Sequence, residues 1–165
     1  MHVRAAHIIS LSFLSSQTKL DDLCCSKTNP LHLFSVMDGH GGADCAEYCS
    51  TELPQQLKAS LNAGLPATAA SITAHLSTES NWFRSPDRDD SGTTAVTCLL
   101  ESANSRVMIS NVGDSRALIV RRAGKSGLAG KSVALTADHD ADNKSEAKRI
   151  KAAGGVIDED GYELS

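Results

Sequence analysis

The sequence predicts an α+β fold, in which hairpin-connected antiparallel strands form a sheet covered by segregated helices. Three observations support this: a short apolar run at residues 33–37, two stretches of helical periodicity between residues 43 and 83, and several β-branched runs from residue 93 onward. With 165 residues, 41% of them hydrophobic, the chain can bury one core without depending on disulfides or a metal ion.

The first half of the chain contains one predicted strand and two predicted helices. Residues 33–37 are apolar and are stopped by glycines, which indicates a short buried strand. Residues 43–61 repeat apolar side chains at intervals of three and four, and Pro54 should kink or divide this helix. Residues 67–83 form the second helix, and its predicted apolar side consists of Ala69, Ile72, His75, Leu76, Trp82 and Phe83.

The second half is predicted to be richer in strands. A polar loop at residues 85–92 leads into strands at 93–100, 106–112, 115–122 and 133–136. Asn104 is expected in the first turn, and residues 123–131 in an exposed hairpin connection. Residues 143–153 favour a short helix that ends at two glycines, before a last strand near Val156.

Charge and cysteine content exclude several classes of protein. The net charge is −4 with both signs mixed along the chain, which argues against nucleic acid or an anionic membrane as the main partner. The sequence contains no apolar stretch near the ~20 residues that a membrane-spanning helix needs. Its five cysteines include no CxxC pair, which argues against a disulfide framework or a zinc site. We therefore expect a soluble protein of the cytoplasm or nucleus.

Residues 1–20 are set apart from residues 21–165, which we expect to form the folded domain. The first segment contains two basic residues, four serines and no acidic residue, a composition compatible with a targeting segment. Its alternation of Ile9, Leu11 and Phe13 equally suits a half-buried strand.

Asp38, Gly39 and His40 follow the first predicted strand and precede two further glycines. A carboxylate and an imidazole two residues apart at a strand end are suited to a metal ion and a proton transfer. The alternative is an ordinary turn, made by Asp38 and Gly39 and capped by His40.

Two later motifs could serve the same centre. Ser91-Gly92-Thr93-Thr94-Ala95 stands at a strand entry, and Asn111-Val112-Gly113-Asp114-Ser115-Arg116-Ala117 stands at a tight connection between strands. Taken alone, the first could be a plain loop end and the second a plain hairpin corner.

In their order along the chain, these motifs resemble those of the metal-dependent serine/threonine protein phosphatases of type 2C. The resemblance continues through Leu135-Thr136-Ala137-Asp138-His139 and through Glu146, Arg149, Ile150 and Gly154-Gly155. One departure is Met37, at a position where the family usually has an aromatic residue.

The resemblance implies an α-β-β-α sandwich and hydrolysis of phosphoserine and phosphothreonine in protein substrates by a metal-activated water. In that family the matching aspartate bridges two Mg²⁺ or Mn²⁺ ions and the next glycine lends a carbonyl, which here implies Asp38 and Gly39 as ligands. His40 resembles the general acid. Asp114 matches an aspartate that is associated with a third metal ion. Residues 93–94 and 136–139 look structural.

Two further expectations come from where the chain departs from the family. The family has an acidic pair upstream of its Asp-Gly-His strand, for which Asp21 and Asp22 could stand in, but Ser16 or Gln17 occupies the place of a phosphate-binding arginine. Family members also continue past Ser165 into strands with two more aspartates. We therefore expect the N-terminal part of a phosphatase domain, truncated at its C-terminus and with an incomplete metal site. A non-catalytic phosphatase-like binding module and a fragment of a longer phosphatase are the alternatives.

Overall fold

Helices and antiparallel strands are segregated along the chain in the computed structural model, which describes residues 16–23, 31–101, 105–122, 129–157 and 163–164. The predicted α+β class is confirmed. The elements are β1 (Ser16–Leu23), β2 (Leu31–His40), α1 (Asp44–Asn62), α2 (Ala67–Arg84), β3 (Gly92–Thr93), β4 (Ala95–Glu101), β5 (Arg106–Val112), β6 (Leu118–Arg122), β7 (Ala129–Ala134), α3 (Lys144–Ala152), β8 (Val156–Ile157) and β9 (Glu163–Leu164).

The main sheet has the strand order β1-β2-β4-β5, and β3 pairs with the end of β2. All of its pairings are antiparallel. Strand β2 alternates buried and less buried residues, because successive side chains of a strand point to opposite faces. Its buried side chains are Leu31, Leu33, Ser35 and Met37. This alternation places one face of the sheet in the core.

Helices α1 and α2 pack on each other, and α1 also contacts the sheet. The rings of Tyr48 on α1 and Trp82 on α2 lie 5.2 Å apart between centroids, at 46° to each other. Tilted ring pairs at this distance stabilise a fold by more than the apolar area that they bury accounts for. The buried core shared by sheet and helices comprises Leu31, Leu33, Met37, Ala46, Leu53, Leu57, Ala70, Ala74 and Leu99.

Helix α1 runs unbroken through Pro54, so the predicted division of this helix is wrong. A proline inside a helix removes one backbone hydrogen bond and costs about 3 kcal/mol. Leu53 and Leu57 lie on either side of Pro54 and are both buried in the core. Packing of both halves of the helix against the same core offsets the cost of the proline.

The predicted apolar side of α2 is correct for Trp82, which is buried, but wrong for its three other large apolar residues. Ile72, Leu76 and Phe83 are 57%, 58% and 56% exposed. The helix instead buries mostly small residues, namely Ala70, Ser71, Ala74, Thr78 and Trp82. Small side chains let a helix axis approach its neighbour closely, which explains why this face and not the larger one is buried.

The C-terminal half differs from the prediction in the bounds of its strands. Strand β6 begins at Leu118 rather than at residue 115, and it pairs antiparallel with β7, as the predicted hairpin connection implies. Helix α3 begins as predicted, with Asn143 as its N-cap, whose side chain accepts a hydrogen bond from the N–H of Ser145. The predicted strand around Ile9, the turn at Asn104 and most of the hairpin connection at 123–131 lie outside the described residues.

No helix in the described ranges is long and apolar enough to cross a membrane.

The division of the chain into an N-terminal segment, residues 1–20, and a folded domain, residues 21–165, stays a prediction.

Candidate active site

Asp38, Gly39 and His40 are the last three residues of β2, so their interpretation as a turn is wrong. Gly39 and His40 pair with β3, and Asp38 pairs with β1. The turn comes one residue later, at Gly41, whose φ of +70° is a conformation that favours glycine. The side chains of Asp38 and His40 are both exposed to solvent, where they can meet a ligand.

Gly92 in the second motif lies directly opposite His40 in the strand pairing. A Cβ atom added at Gly92 would lie 2.7 Å from Cε1 of His40, closer than atoms can approach. The imidazole therefore lies against the backbone of β3, in space that a side chain at position 92 would occupy.

Thr94 connects all three motifs. Its N–H donates to the carbonyl oxygen of Asp38 at 3.0 Å, and its Oγ1 accepts a 3.3 Å hydrogen bond from the N–H of Asp38. The same Oγ1 lies 2.6 Å from Oγ of Ser115. Asp114 precedes Ser115 in the chain. The contact between Thr94 and Ser115 therefore places the exposed Asp114 near the end of β2.

The 136–139 segment holds the third motif from the other side. The guanidinium of Arg116 donates to both carboxylate oxygens of Asp138, with a distance of 2.9 Å from Nε to Oδ1. This hydrogen-bonded contact lowers the pKa of Asp138. The His139 N–H donates to the Gly113 carbonyl at 3.0 Å, and the Ala117 N–H donates to Thr136 Oγ1 at 3.0 Å. These contacts agree with the structural role predicted for this segment.

Asp89 is a positioning residue that the sequence did not reveal, and Ser91, known from the second motif, has a role in capping that the sequence did not reveal. Ser91 Oγ accepts from the N–H of Cys45 at 3.0 Å in the first turn of α1, whose N-cap Ala43 makes no side-chain cap bond. Ser91 in turn donates from both its hydroxyl and its N–H to Asp89 Oδ1. These hydrogen bonds lower the pKa of Asp89. Since Cys45 and Ser91 are 46 residues apart, no local sequence signal marks the cap.

Comparison with known proteins decides the family to which this site belongs. The family model "Protein phosphatase 2C" matches residues 3–163. The chain belongs to the protein phosphatase 2C family. The family resemblance predicted from the ordered motifs is thereby confirmed.

Plant relatives show the same relationship in sequence. "Probable protein phosphatase 2C 59" of Arabidopsis thaliana is 38% identical over 127 residues, which cover 76% of this chain and 38% of that protein. "Probable protein phosphatase 2C 55" of Oryza sativa subsp. japonica is 33% identical over 154 residues, covering 88% of this chain and 38% of that protein. The chain thus spans 38% of the length of each of these relatives.

Solved structures show the protein phosphatase 2C fold. A sex determining protein of C. elegans superposes with a TM-score of 0.66 at 21% identity, covering 90% of this chain and 40% of the other. The serine-threonine phosphatase 2C of Toxoplasma gondii superposes with a TM-score of 0.59 at 19% identity, covering 93% of this chain and 60% of the other.

The strand register does not bring Asp21 and Asp22 to Asp38. The residue of β1 opposite Asp38 is Ser16, whereas Asp21 lies opposite Leu33 and Asp22 opposite His32. Five residues along a strand correspond to roughly 17 Å. This pairing contradicts the expectation that Asp21 or Asp22 shares an ion with Asp38. Asp21 and Asp22 lie at the end of β1 that leads into β2, whereas Asp38 lies near the far end of β2.

The described residues do not by themselves form a complete metal site. Within the ranges that the structure covers, no group of three or more His, Cys, Asp or Glu side chains is gathered around a point that could hold an ion. Asp38 and Asp114 offer exposed carboxylates, the ligand type that Mg²⁺ and Mn²⁺ prefer. These donors fit part of a ligand set for a divalent ion but do not complete one.

Proposed function

We propose that residues 21–165 form part of a protein serine/threonine phosphatase that hydrolyses phosphoserine and phosphothreonine monoesters with Mg²⁺ or Mn²⁺. The observation that supports this proposal is the meeting of three separate sequence motifs around Thr94. Hydrogen bonds join Thr94 to Asp38 and to Ser115, the neighbour of Asp114.

Asp38, the carbonyl of Gly39 and Asp114 are the proposed metal ligands on this part of the chain. When bound, ions of this kind lower the pKa of a coordinated water and so provide a nucleophile near neutral pH. The carboxylate of Asp38 is exposed at the strand end, while hydrogen bonds to Thr94 fix the backbone that carries it.

His40 is the proposed general acid, which gives a proton to the seryl or threonyl oxygen as the phosphate ester breaks. Its imidazole is exposed to solvent, and its contact with Gly92 limits where the ring can lie. Proton transfer to a leaving group requires an acid within hydrogen-bond reach of that group, and an exposed imidazole at the strand end is open to such a contact.

The test is release of phosphate from a phosphothreonine peptide in the presence of Mn²⁺. We expect Asp38→Asn to lower the rate at least about a hundredfold, because the variant keeps the shape of the side chain and loses its charge. Asp87→Asn, at an exposed turn residue, is the matched control and should keep the wild-type rate. Equal rates in wild type and Asp38→Asn would defeat the proposal.

A second candidate, a phosphatase-like module that binds phosphoprotein without hydrolysing it, is favoured by the incomplete ligand set within the described ranges. Fluorescence anisotropy of a labelled phosphopeptide distinguishes the two candidates. Saturable binding with no phosphate release in Mn²⁺ supports the module, whereas turnover supports the phosphatase.

A further inference from the structure

A partly open cavity of about 620 Å³ lies between α1, α2 and the segment that leads into β3. This volume falls within the range of small-molecule sites, about 300–1,000 Å³. Leu53 of α1 and Leu76, Trp82 and Phe83 of α2 contribute apolar walls. The cavity therefore has the size and the apolar surface that an organic ligand needs.

Thr78 brings a polar atom without a partner to this cavity. Its side chain lines the cavity, and the residue is only 4% exposed. Among the described residues, no group forms a hydrogen bond with its Oγ1. A buried hydroxyl without a partner costs about 1–3 kcal/mol, a cost that a ligand could relieve by forming the missing bond.

His75 contributes a second such atom, one helical turn before Thr78. Its Nδ1 lies 2.8 Å from the carbonyl oxygen of Ser71, which can only accept, so Nδ1 carries a proton. In the neutral ring Nε2 is then an acceptor. This Nε2 is buried, and no described residue bonds to it. His75 also lines the cavity, so the two polar atoms together favour a ligand that donates hydrogen bonds.

The charges around the cavity restrict the ligand further. Three acidic residues, Glu79, Asp89 and Asp90, and one basic residue, Arg88, are among those that line it. The guanidinium of Arg88 lies 4.8 Å from the centre of the Phe83 ring, over its face. The excess of carboxylates disfavours an anionic ligand.

We propose that this cavity binds a small amphipathic molecule, neutral or cationic, which has an apolar body and an N–H or O–H group that reaches Thr78 and His75. His40, the proposed general acid, also lines this cavity. Binding is measured without phosphate release, and so the two proposals can fail independently.

Trp82 makes the test direct, because it is the only tryptophan in the chain and it lines the cavity. The probes are 2-phenylethylamine, 2-phenylethanol and phenylacetate, which share one ring and differ in charge. Each is titrated into the full chain while tryptophan emission is followed. We expect saturable changes in tryptophan emission with the amine and the alcohol. The dissociation constant for phenylacetate should be at least about tenfold higher.

Two variants locate the binding. Thr78→Val keeps the side-chain shape and removes a hydroxyl that has no partner in the described chain, so the fold should be retained. It should weaken binding of the alcohol by about two- to tenfold. His75→Phe, which keeps an aromatic ring, should weaken it similarly. Thr73→Val, at an exposed threonine of the same helix, is the matched control and should bind as the wild type does.

The outcomes separate clearly. Saturable binding that Thr78→Val and His75→Phe weaken, and that Thr73→Val leaves unchanged, supports the site. Failure of both the amine and the alcohol to saturate overturns it. So do equal dissociation constants for the wild type and Thr78→Val, or equal binding of phenylacetate and the amine.

Discussion

Gly113 shows how a single residue permits the site to form. Its φ of +95° is strained for any other residue, and a Cβ added there would lie 2.8 Å from Cγ2 of Thr94. Thr94 is the residue that holds Asp38. The glycine thus allows the loop that carries Asp114 to approach the end of β2.

We predict that Gly113→Ala lowers the free energy of unfolding by about 2–4 kcal/mol, because strain in the backbone adds to a collision with Thr94. Gly154→Ala is the matched control, since its φ of +92° is similar but nothing lies within 4 Å of the added Cβ. That control should cost about 1 kcal/mol. Urea denaturation measures both, and equal costs would show that the contact with Thr94 does not matter.

Ser91 is a cap supplied from outside the helix that it stabilises. We predict that Ser91→Ala costs about 1–2 kcal/mol, because the N–H of Cys45 and the carboxylate of Asp89 both lose a partner. Ser85→Ala is the control, since Ser85 Oγ accepts one exposed bond from Asp87 N–H and its loss should cost under about 0.5 kcal/mol. Thermal unfolding monitored by circular dichroism compares them; a larger loss in Ser85→Ala would refute the capping role.

At the scale of elements, α2 illustrates where sequence patterns are insufficient. The residues of α2 repeat on two faces, one of large apolar residues and one of small residues, and the large face was the natural prediction for the core. The small face is the one packed on α1, and Ser71 on this face also lies within hydrogen-bond distance of Ser110 on β5. That packing depends on the other elements, so periodicity within α2 does not reveal it.

Enlarging a residue on the small, buried face of α2 should therefore reduce stability more than truncating a residue on its large, exposed face. Ala74, which has no exposed surface, should tolerate enlargement poorly, and Ala74→Leu is expected to cost about 1–3 kcal/mol by overpacking. Ile72→Ala should change stability by less than about 0.5 kcal/mol, since Ile72 is 57% exposed. Chemical denaturation of the two variants would contradict this packing if Ile72→Ala were the more damaging change.

Strand β2 and helices α1 and α3 were predictable because local signals agree with their surroundings. An apolar run ended by glycines predicted β2, and Asn143 followed later by two glycines predicted α3. The antiparallel pairing of β6 with β7 agrees with the predicted hairpin, but its register, which shifts between Val120 and Arg122, was not predictable, because register depends on contacts between the two strands.

At the scale of the whole molecule, three acidic groups among the described residues have pKa values below their ordinary range. Hydrogen bonds from Ser91, Arg116 and Arg149 lower the pKa values of Asp89, Asp138 and Glu146, respectively. In the unfolded chain these carboxyl groups bind protons at a higher pH than they do in the folded protein. Their contribution to stability is therefore full above about pH 5 and declines as the pH falls through the lowered values.

We predict that the free energy of unfolding decreases between about pH 5 and about pH 3. Arg116→Gln should make this decrease shallower, because it removes the group that lowers the pKa of Asp138. Urea titrations at several pH values, with Lys58→Gln at an exposed residue as the control, measure the slope. A constant or rising stability toward pH 3 would contradict the prediction.

The candidate site was predictable in part. Asp38, His40 and Asp114 were named from ordered motifs, and the structure shows why those motifs occur together, since Thr94 contacts two of them. Asp21 and Asp22 were misplaced because counting residues along the chain does not give the register of β1 against β2. Ser91 was named as part of a motif, but its capping role and the part of Asp89 carry no local signal, since they depend on a contact with Cys45, 46 residues before Ser91.

The most direct test of the proposed centre is calorimetric titration of Mn²⁺ into wild type, Asp38→Asn and the double variant Asp21→Asn/Asp22→Asn. We predict that the wild type binds Mn²⁺, that Asp38→Asn loses at least about tenfold in affinity, and that the double variant binds as the wild type does. Absence of binding in the wild type would contradict the central claim. Binding that is unaffected by Asp38→Asn but lost in the double variant would contradict it equally.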